Sequence, residues 1–236
     1  MRHKTLILSA FVFMIGLTGC GNEDIKNISN EKNEKIHDDI PADEIRNVNI
    51  SGNARSVVIK QGTTDNFEFY NADLEEDHQY EVETAYDEDG NDLNILVTME
   101  NADTGNDVLG SVVVSIPEKE FEKIETTGEF KQIYLETLNS DVLIHTDNAT
   151  VTMELTADRL DHNITLDGSE SASFRDAIIY FDKLPENVKM EFTNVPSNAI
   201  DDSDGLLTGG QLESGSGNPV ISINHADKVE LYMDSD

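Results

Sequence analysis

From about residue 45 onward, apolar and polar residues alternate. Val48 and Ile50, Val57 and Ile59, Phe67 and Phe69, Tyr80 and Val82, then Leu93, Ile95 and Val97 stand two apart. A period of two sends successive side chains to opposite faces of an extended chain, so these runs read as half-buried strands. Gly52 with Asn53, Gly62 with Thr63, and Asp89 with Gly90 and Asn91 fall between them and supply residues that tolerate positive φ in tight turns. Residues 112–116 form a valine-rich run closed by Pro117, which has no N–H to give a ladder. No ten-residue window here carries a helical stripe, and the fold class is all-β.

The central section repeats itself. Residues 123–129 read K-I-E-T-T-G-E, residues 143–149 L-I-H-T-D-N-A and residues 163–169 N-I-T-L-D-G-S. Ile124, Ile144 and Ile164 are 20 apart, as are Gly128, Asn148 and Gly168, residue types that accept a left-handed turn. Second strands lie between them at 133–135, 151–155 and 177–181. Two strands and a turn per unit predict a β-solenoid-like stack of short strands, each coil burying an inward stripe on the last. The alternative is a β-sandwich with evenly spaced strands.

Charge excludes several functions. The 236 residues contain 48 Asp and Glu against 16 Lys and Arg, a formal charge of −32. Such a surface is repelled by phosphate backbones and anionic headgroups, so no nucleic-acid partner is expected. With 37% apolar residues the chain can still bury a core, and one cysteine cannot form an internal disulfide or a thiolate-rich zinc site.

That cysteine belongs to the N-terminal signal. Arg2, His3 and Lys4 precede an uncharged apolar run over residues 6–16, followed by Leu17, Thr18, Gly19 and Cys20. The run is too short for a bilayer core of about 30 Å, and small residues sit where a signal peptidase cuts. The order Leu17, Thr18, Gly19, Cys20 resembles the lipobox of bacterial lipoproteins, which implies that residues 1–19 are a signal peptide and that Cys20 carries the lipid. Residues 20–44 are acidic and rich in Asn, Ser and Lys, with Ile25, Ile28, Ile36 and Ile40 scattered among them. They read as a flexible tether before a β-repeat domain at 45–236. The expected location is the outer face of the bacterial cell membrane, with the membrane as partner through the lipid.

Chemistry is sparse. His78, His145, His162 and His225 show no metal-binding spacing, and there is no Gly-x-Ser-x-Gly elbow or phosphate loop. No catalytic residue is assigned. Two acidic loops contain hard-oxygen ligands that suit Ca²⁺: Asp87, Asp89, Asn91 and Asp92 around Gly90, and Asp201, Asp202 and Asp204 before Gly205. Asp87, Asp89, Asn91 and Asp92 are the candidate Ca²⁺ ligands, although Gly90 comes too early for an EF-hand loop; a solvated hairpin turn is the preferred reading. No other cofactor is expected.

The order of these features resembles the DUF4097 family of bacterial adhesin-like β-strand-repeat proteins. Its pattern of an alternating opening strand, a hairpin ending Asp-Gly-Asn-x-Leu, a valine-rich strand closing in Ile-Pro and repeated strands ending in glycine turns is matched at 57–59, 89–93, 112–117 and the units at Ile124, Ile144 and Ile164. The resemblance covers residues 46–182. Asn148 departs from the turn glycine, and residues 184–218 break the period before two strands, at 220–223 and 229–233, that read as a cap. The resemblance implies a surface role and brings no catalytic residues. The expected function is a cell-envelope lipoprotein whose β-repeat module acts in binding, adhesion or scaffolding toward a cell-wall or surface partner. The alternatives are a cell-wall carbohydrate-active enzyme and an envelope-stress sensing component.

Overall fold

The computed structural model of the chain describes residues 34–72, 80–99 and 110–233. Two short strands, β1 (Glu34–Lys35) and β2 (Ile40–Pro41), lead into β3 (Asn47–Gly52) and β4 (Ser56–Gln61). After β5 (Asn66–Ala72) and β6 (Tyr80–Tyr86) come β7 (Asp92–Met99) and β8 (Ser111–Ile116). The repeat section supplies β9 (Lys123–Gly128), β10 (Gln132–Glu136), β11 (Val142–Thr146), β12 (Thr150–Leu155), β13 (Ile164–Asp167) and β14 (Asp176–Phe181). The chain ends with β15 (Val188–Thr193), β16 (Ile200–Asp201), β17 (Glu213–Ser214), β18 (Val220–Asn224) and β19 (Val229–Met233). Helix among the described residues is confined to two 3₁₀ turns, at 157–159 and 197–199.

The all-β expectation holds, and the strands form two sheets that do not close into a barrel. The chain alternates between them, so β3 with β4, β7 with β8, β9 with β10, β11 with β12, β13 with β14, β15 with β16 and β18 with β19 each make one coil. Both sheets stack these coils in one order, β7/β8, β3/β4, β9/β10, β11/β12, β13/β14, β18/β19, β15/β16. Every pairing between coils is parallel. This is the connectivity of a solenoid within a two-layered body. We call the sheet that begins with β1 the first and the sheet that contains β3 the second.

Both ends of the stack reverse the chain order. The first coil in sequence, β3/β4, lies inside β7/β8, while β5 and β6 add antiparallel to β8 and β7. At the other end β18/β19, read from the sequence as a cap, slots between β13/β14 and β15/β16. The segment that broke the period is the terminal layer, and β17 covers part of its edge.

The repeat register also differs from the sequence reading. Val142 lies opposite both Ile124 and Ile164, and Ile144 opposite Thr126 and Leu166, so the spacing between equivalent positions is not a constant 20. A two-residue shift leaves each side chain on the same face, which is why the apolar pattern survives it. Gly128 (φ 122°) and Asn148 (φ 54°) adopt the positive φ expected of them. Gly168 does not; its need is space, since a Cβ there would lie 2.8 Å from the carbonyl oxygens of Asn224 and His225.

Between the sheets run inward ladders: Val48, Ile124, Val142, Ile164 and Ile221 from the second, Val57, Ile133, Val151, Ala177 and Val229 from the first. All are buried, and each large aliphatic among them contributes about 1.5–3 kcal/mol.

Residues 34–44, read as tether, belong to the fold. β1 and β2 pair with β5, and Ile40, Ala42 and Ile45 are buried in the core. The His37 ring meets Phe69 edge-on at 5.2 Å, and its Nε2 lies 3.3 Å from Thr84 Oγ1 on β6. Lys119 holds the segment down, donating from Nζ to the carbonyls of Ala42 (2.6 Å), Asp43 (3.1 Å) and Ile45 (2.6 Å). The domain therefore includes residues 34–44 as a strap across its N-terminal end.

Candidate functional site

Parallel in-register stacking turns every outward position into a ladder running the length of the stack. The two outer faces differ in chemistry. On the first sheet, Tyr134 stands beside Val58 and Thr152, Thr152 beside Ile178, and Ile178 beside Glu230. The adjoining ladder runs Glu136, Glu154, Tyr180, Tyr232. The last two rings stack at 5.0 Å, with 16° between their planes. Four of the six tyrosines, Tyr70, Tyr134, Tyr180 and Tyr232, lie on this face. Near its N-terminal end Val58, Ala72 and Val113 form a small buried cluster with Tyr70 and Tyr134, separate from the main core.

The charged groups of this face are tuned by their surroundings. Burial holds Glu136 above the usual carboxylate range, against the opposing pull of Lys60 and Arg159. For Glu230 burial acts upward, but hydrogen bonds from Lys228 Nζ (2.7 Å) and Tyr232 Oη (2.5 Å) prevail and its carboxyl lies below that range. Tyr232 is correspondingly raised, first by its hydrogen bond to Glu230 and then by burial.

The second sheet faces outward mainly with amides, hydroxyls, carboxylates and lysines, and Leu96 and Leu143 stand among them. Asn47 donates to Asp92 (2.8 Å) and Asn49 to Asn94 (3.1 Å). Further along, Thr127, His145 and Asp167 occupy three neighbouring strands. His145 Nδ1 lies 3.5 Å from Asp167, which accepts from Asn224 Nδ2 at 3.1 Å. The residue types are those of a nucleophile, base and orienting acid, but they stand on a flat face where His145 is 54% exposed.

The candidate cation ligands are built into a hairpin turn between β6 and β7. Asp87 Oδ1 accepts the backbone N–H groups of Asn91 (2.8 Å) and Asp92 (3.0 Å), and the bond from Asp92 above all keeps its carboxyl below the ordinary range. Asp92 turns to Asn47, while Asn91 donates weakly to the Asp89 carbonyl at 3.4 Å. In the second acidic loop Asp202 accepts from the N–H groups of Leu206 and Leu207, and Asp204 from that of Met233. Among the described residues no three His, Cys, Asp or Glu side chains come close enough to share a metal ion. Cys20 lies outside the described residues.

The tyrosine face was not found from the sequence. Tyr134, Tyr180 and Tyr232 each alternate with buried residues, which was a usable signal, but the pairing that unites them joins strands far apart in the chain.

No family model matches this chain, and no curated protein does. Among solved structures it is similar to the 1.95 Å crystal structure of a "putative cell adhesion protein" from Clostridium sporogenes ATCC 15579. The two share 13% identity at a TM-score of 0.45 over 86% of this chain and 99% of the other.

Proposed function

We propose that this chain is an exported lipoprotein of the bacterial cell envelope, anchored through Cys20, whose β-stack acts as a binding, adhesion or scaffold element rather than as an enzyme. The observation that carries the binding role is the pair of long outer faces, on which side chains repeat in ladders across seven stacked coils. Such faces offer extended contact, whereas catalysis calls for a few polar groups converging in a concavity. Anchorage is supported by residues 17–20 and by the apolar run before them.

Cell fractionation tests the anchor: a Cys20→Ser variant is released from the membrane or retained as unprocessed precursor. Equal recovery of mature parent and variant in the membrane fraction ends the lipoprotein reading. The binding role predicts protection from hydrogen exchange over several consecutive strands of one sheet when the lipidated protein sits in intact envelopes. A second reading, a cell-wall carbohydrate-active enzyme, is favoured only by the row Thr127, His145, Asp167. It requires glycan cleavage that Thr127→Ala abolishes.

A further inference from the structure

The two outer faces offer a partner different chemistry. On the second sheet Asn and Asp side chains hydrogen-bond one another laterally. The first sheet instead carries the tyrosine rings, Ile178 and a row of carboxylates on one flat surface. Tyrosine presents large contact area at little entropic cost and is enriched at interfaces.

Charge narrows the choice of occupant. Glu136 and Glu154 are direct cross-strand neighbours, and like charges so placed oppose each other. Glu68, Glu230 and Asp176 add to them, with Lys60, Arg159, Arg175 and Lys228 as partial counterweights. A second copy of this chain would bring the same carboxylates against themselves, with a formal −32 on each molecule. A neutral glycan can donate hydroxyls to the Glu136–Glu154 pair but leaves both charges uncompensated, and an anionic polymer is repelled. A lysine or arginine side chain gains twice, from the carboxylates and from the adjacent ring faces.

We propose that the outer face of the first sheet, framed by Tyr134, Glu136, Glu154, Ile178, Tyr180 and Tyr232, is a docking surface for an extended polypeptide segment rich in lysine or arginine. This rests on the reading of the stack as a binding element and gives that element a face and a partner chemistry. The burial that raises the Glu136 carboxyl is consistent with it, since a cation seated there restores the solvation the carboxylate lacks.

The test is calorimetry of the full chain in detergent with a short oligolysine peptide at physiological salt. The parent shows one saturable binding event. Glu136→Gln with Glu154→Gln weakens it by about tenfold, whereas the charge-matched pair Glu125→Gln with Glu191→Gln, on the opposite face, weakens it by less than about twofold. Tyr180→Ala, which removes no charge, weakens it several-fold, and melting curves confirm that each variant folds. Equal losses from the two glutamate pairs, or an unchanged affinity in Tyr180→Ala, would reduce the effect to diffuse attraction and overturn the proposal. So would absence of oligolysine binding, binding of an N-acetylglucosamine oligosaccharide in its place, or self-association through this face. These outcomes leave fractionation of Cys20→Ser and exchange protection in the envelope as independent measures of the broader function.

Discussion

Two side chains bear unusual local burdens. Lys119 collects three backbone carbonyls from residues 42–45 and stands 5.4 Å from the Phe121 ring, so one ammonium fastens the N-terminal strap to the end of the stack. Lys119→Met keeps the aliphatic stem and removes the donors; we expect a loss of about 1–3 kcal/mol in chemical denaturation, and a loss below about 0.5 kcal/mol refutes the fastening role. Glu136 makes the opposite contribution. Its carboxyl is raised by burial in the fold, so the folded chain holds that proton more tightly than the unfolded one. The group's contribution to stability is therefore present at low pH and is lost as pH rises from the unfolded value of about 4.3 through the raised folded value. Glu136→Gln removes that decline, and melting followed against pH should show the variant gaining on its parent toward neutrality. A parallel pair of curves contradicts the assignment.

At the scale of the element, inward and outward positions decide tolerance. Ile144 on β11 is fully buried between Thr126 and Leu166, whereas Thr165 on β13 points outward. Ile144→Asp buries a carboxylate without a partner and should destabilise by about 3–5 kcal/mol, while Thr165→Asp stays within about 0.5 kcal/mol of the parent. Equal melting temperatures for the two would contradict the register. Thr126 is itself fully buried, and its hydroxyl has no hydrogen-bond partner. The ladder through Ile144 is thus not uniformly apolar, a feature that the isoleucine spacing concealed.

Over the whole molecule, a formal charge of −32 acts against compactness. Added monovalent salt should raise the melting temperature steadily as it screens the repulsion, and an unchanged melting temperature would show that the charges are already compensated. Ca²⁺ should stabilise further, with locality as the deciding measurement. Replacing Asp87 and Asp89 by Asn should trim the calcium response no more than replacing Asp201 and Asp202, because in both loops carboxylates already accept backbone N–H groups. A single saturable site lost only from the first pair would establish the hairpin as a calcium loop.

What the sequence determined by itself is what short-range physics controls. Alternation at period two placed the strands at Val48, Val57, Leu93, Ile133 and Val151, and turn residues marked their ends. Fold class and the stacked-coil plan followed from these. The register did not, because a two-residue slip between Ile124 and Ile144 preserves every inward face and the spacing cannot register it. Nor did the insertion of β3/β4 and β18/β19 beneath coils that follow or precede them, since strand order depends on which edges meet in space. Residues 34–44 looked like tether because few of them are apolar. Only folding brings Ile40, Ala42 and the carbonyls held by Lys119 against the end of the core. The tyrosine face has the same origin: Tyr134, Tyr180 and Tyr232 become one surface when parallel pairing sets their strands side by side, a contact between residues remote in the chain that local pattern does not encode.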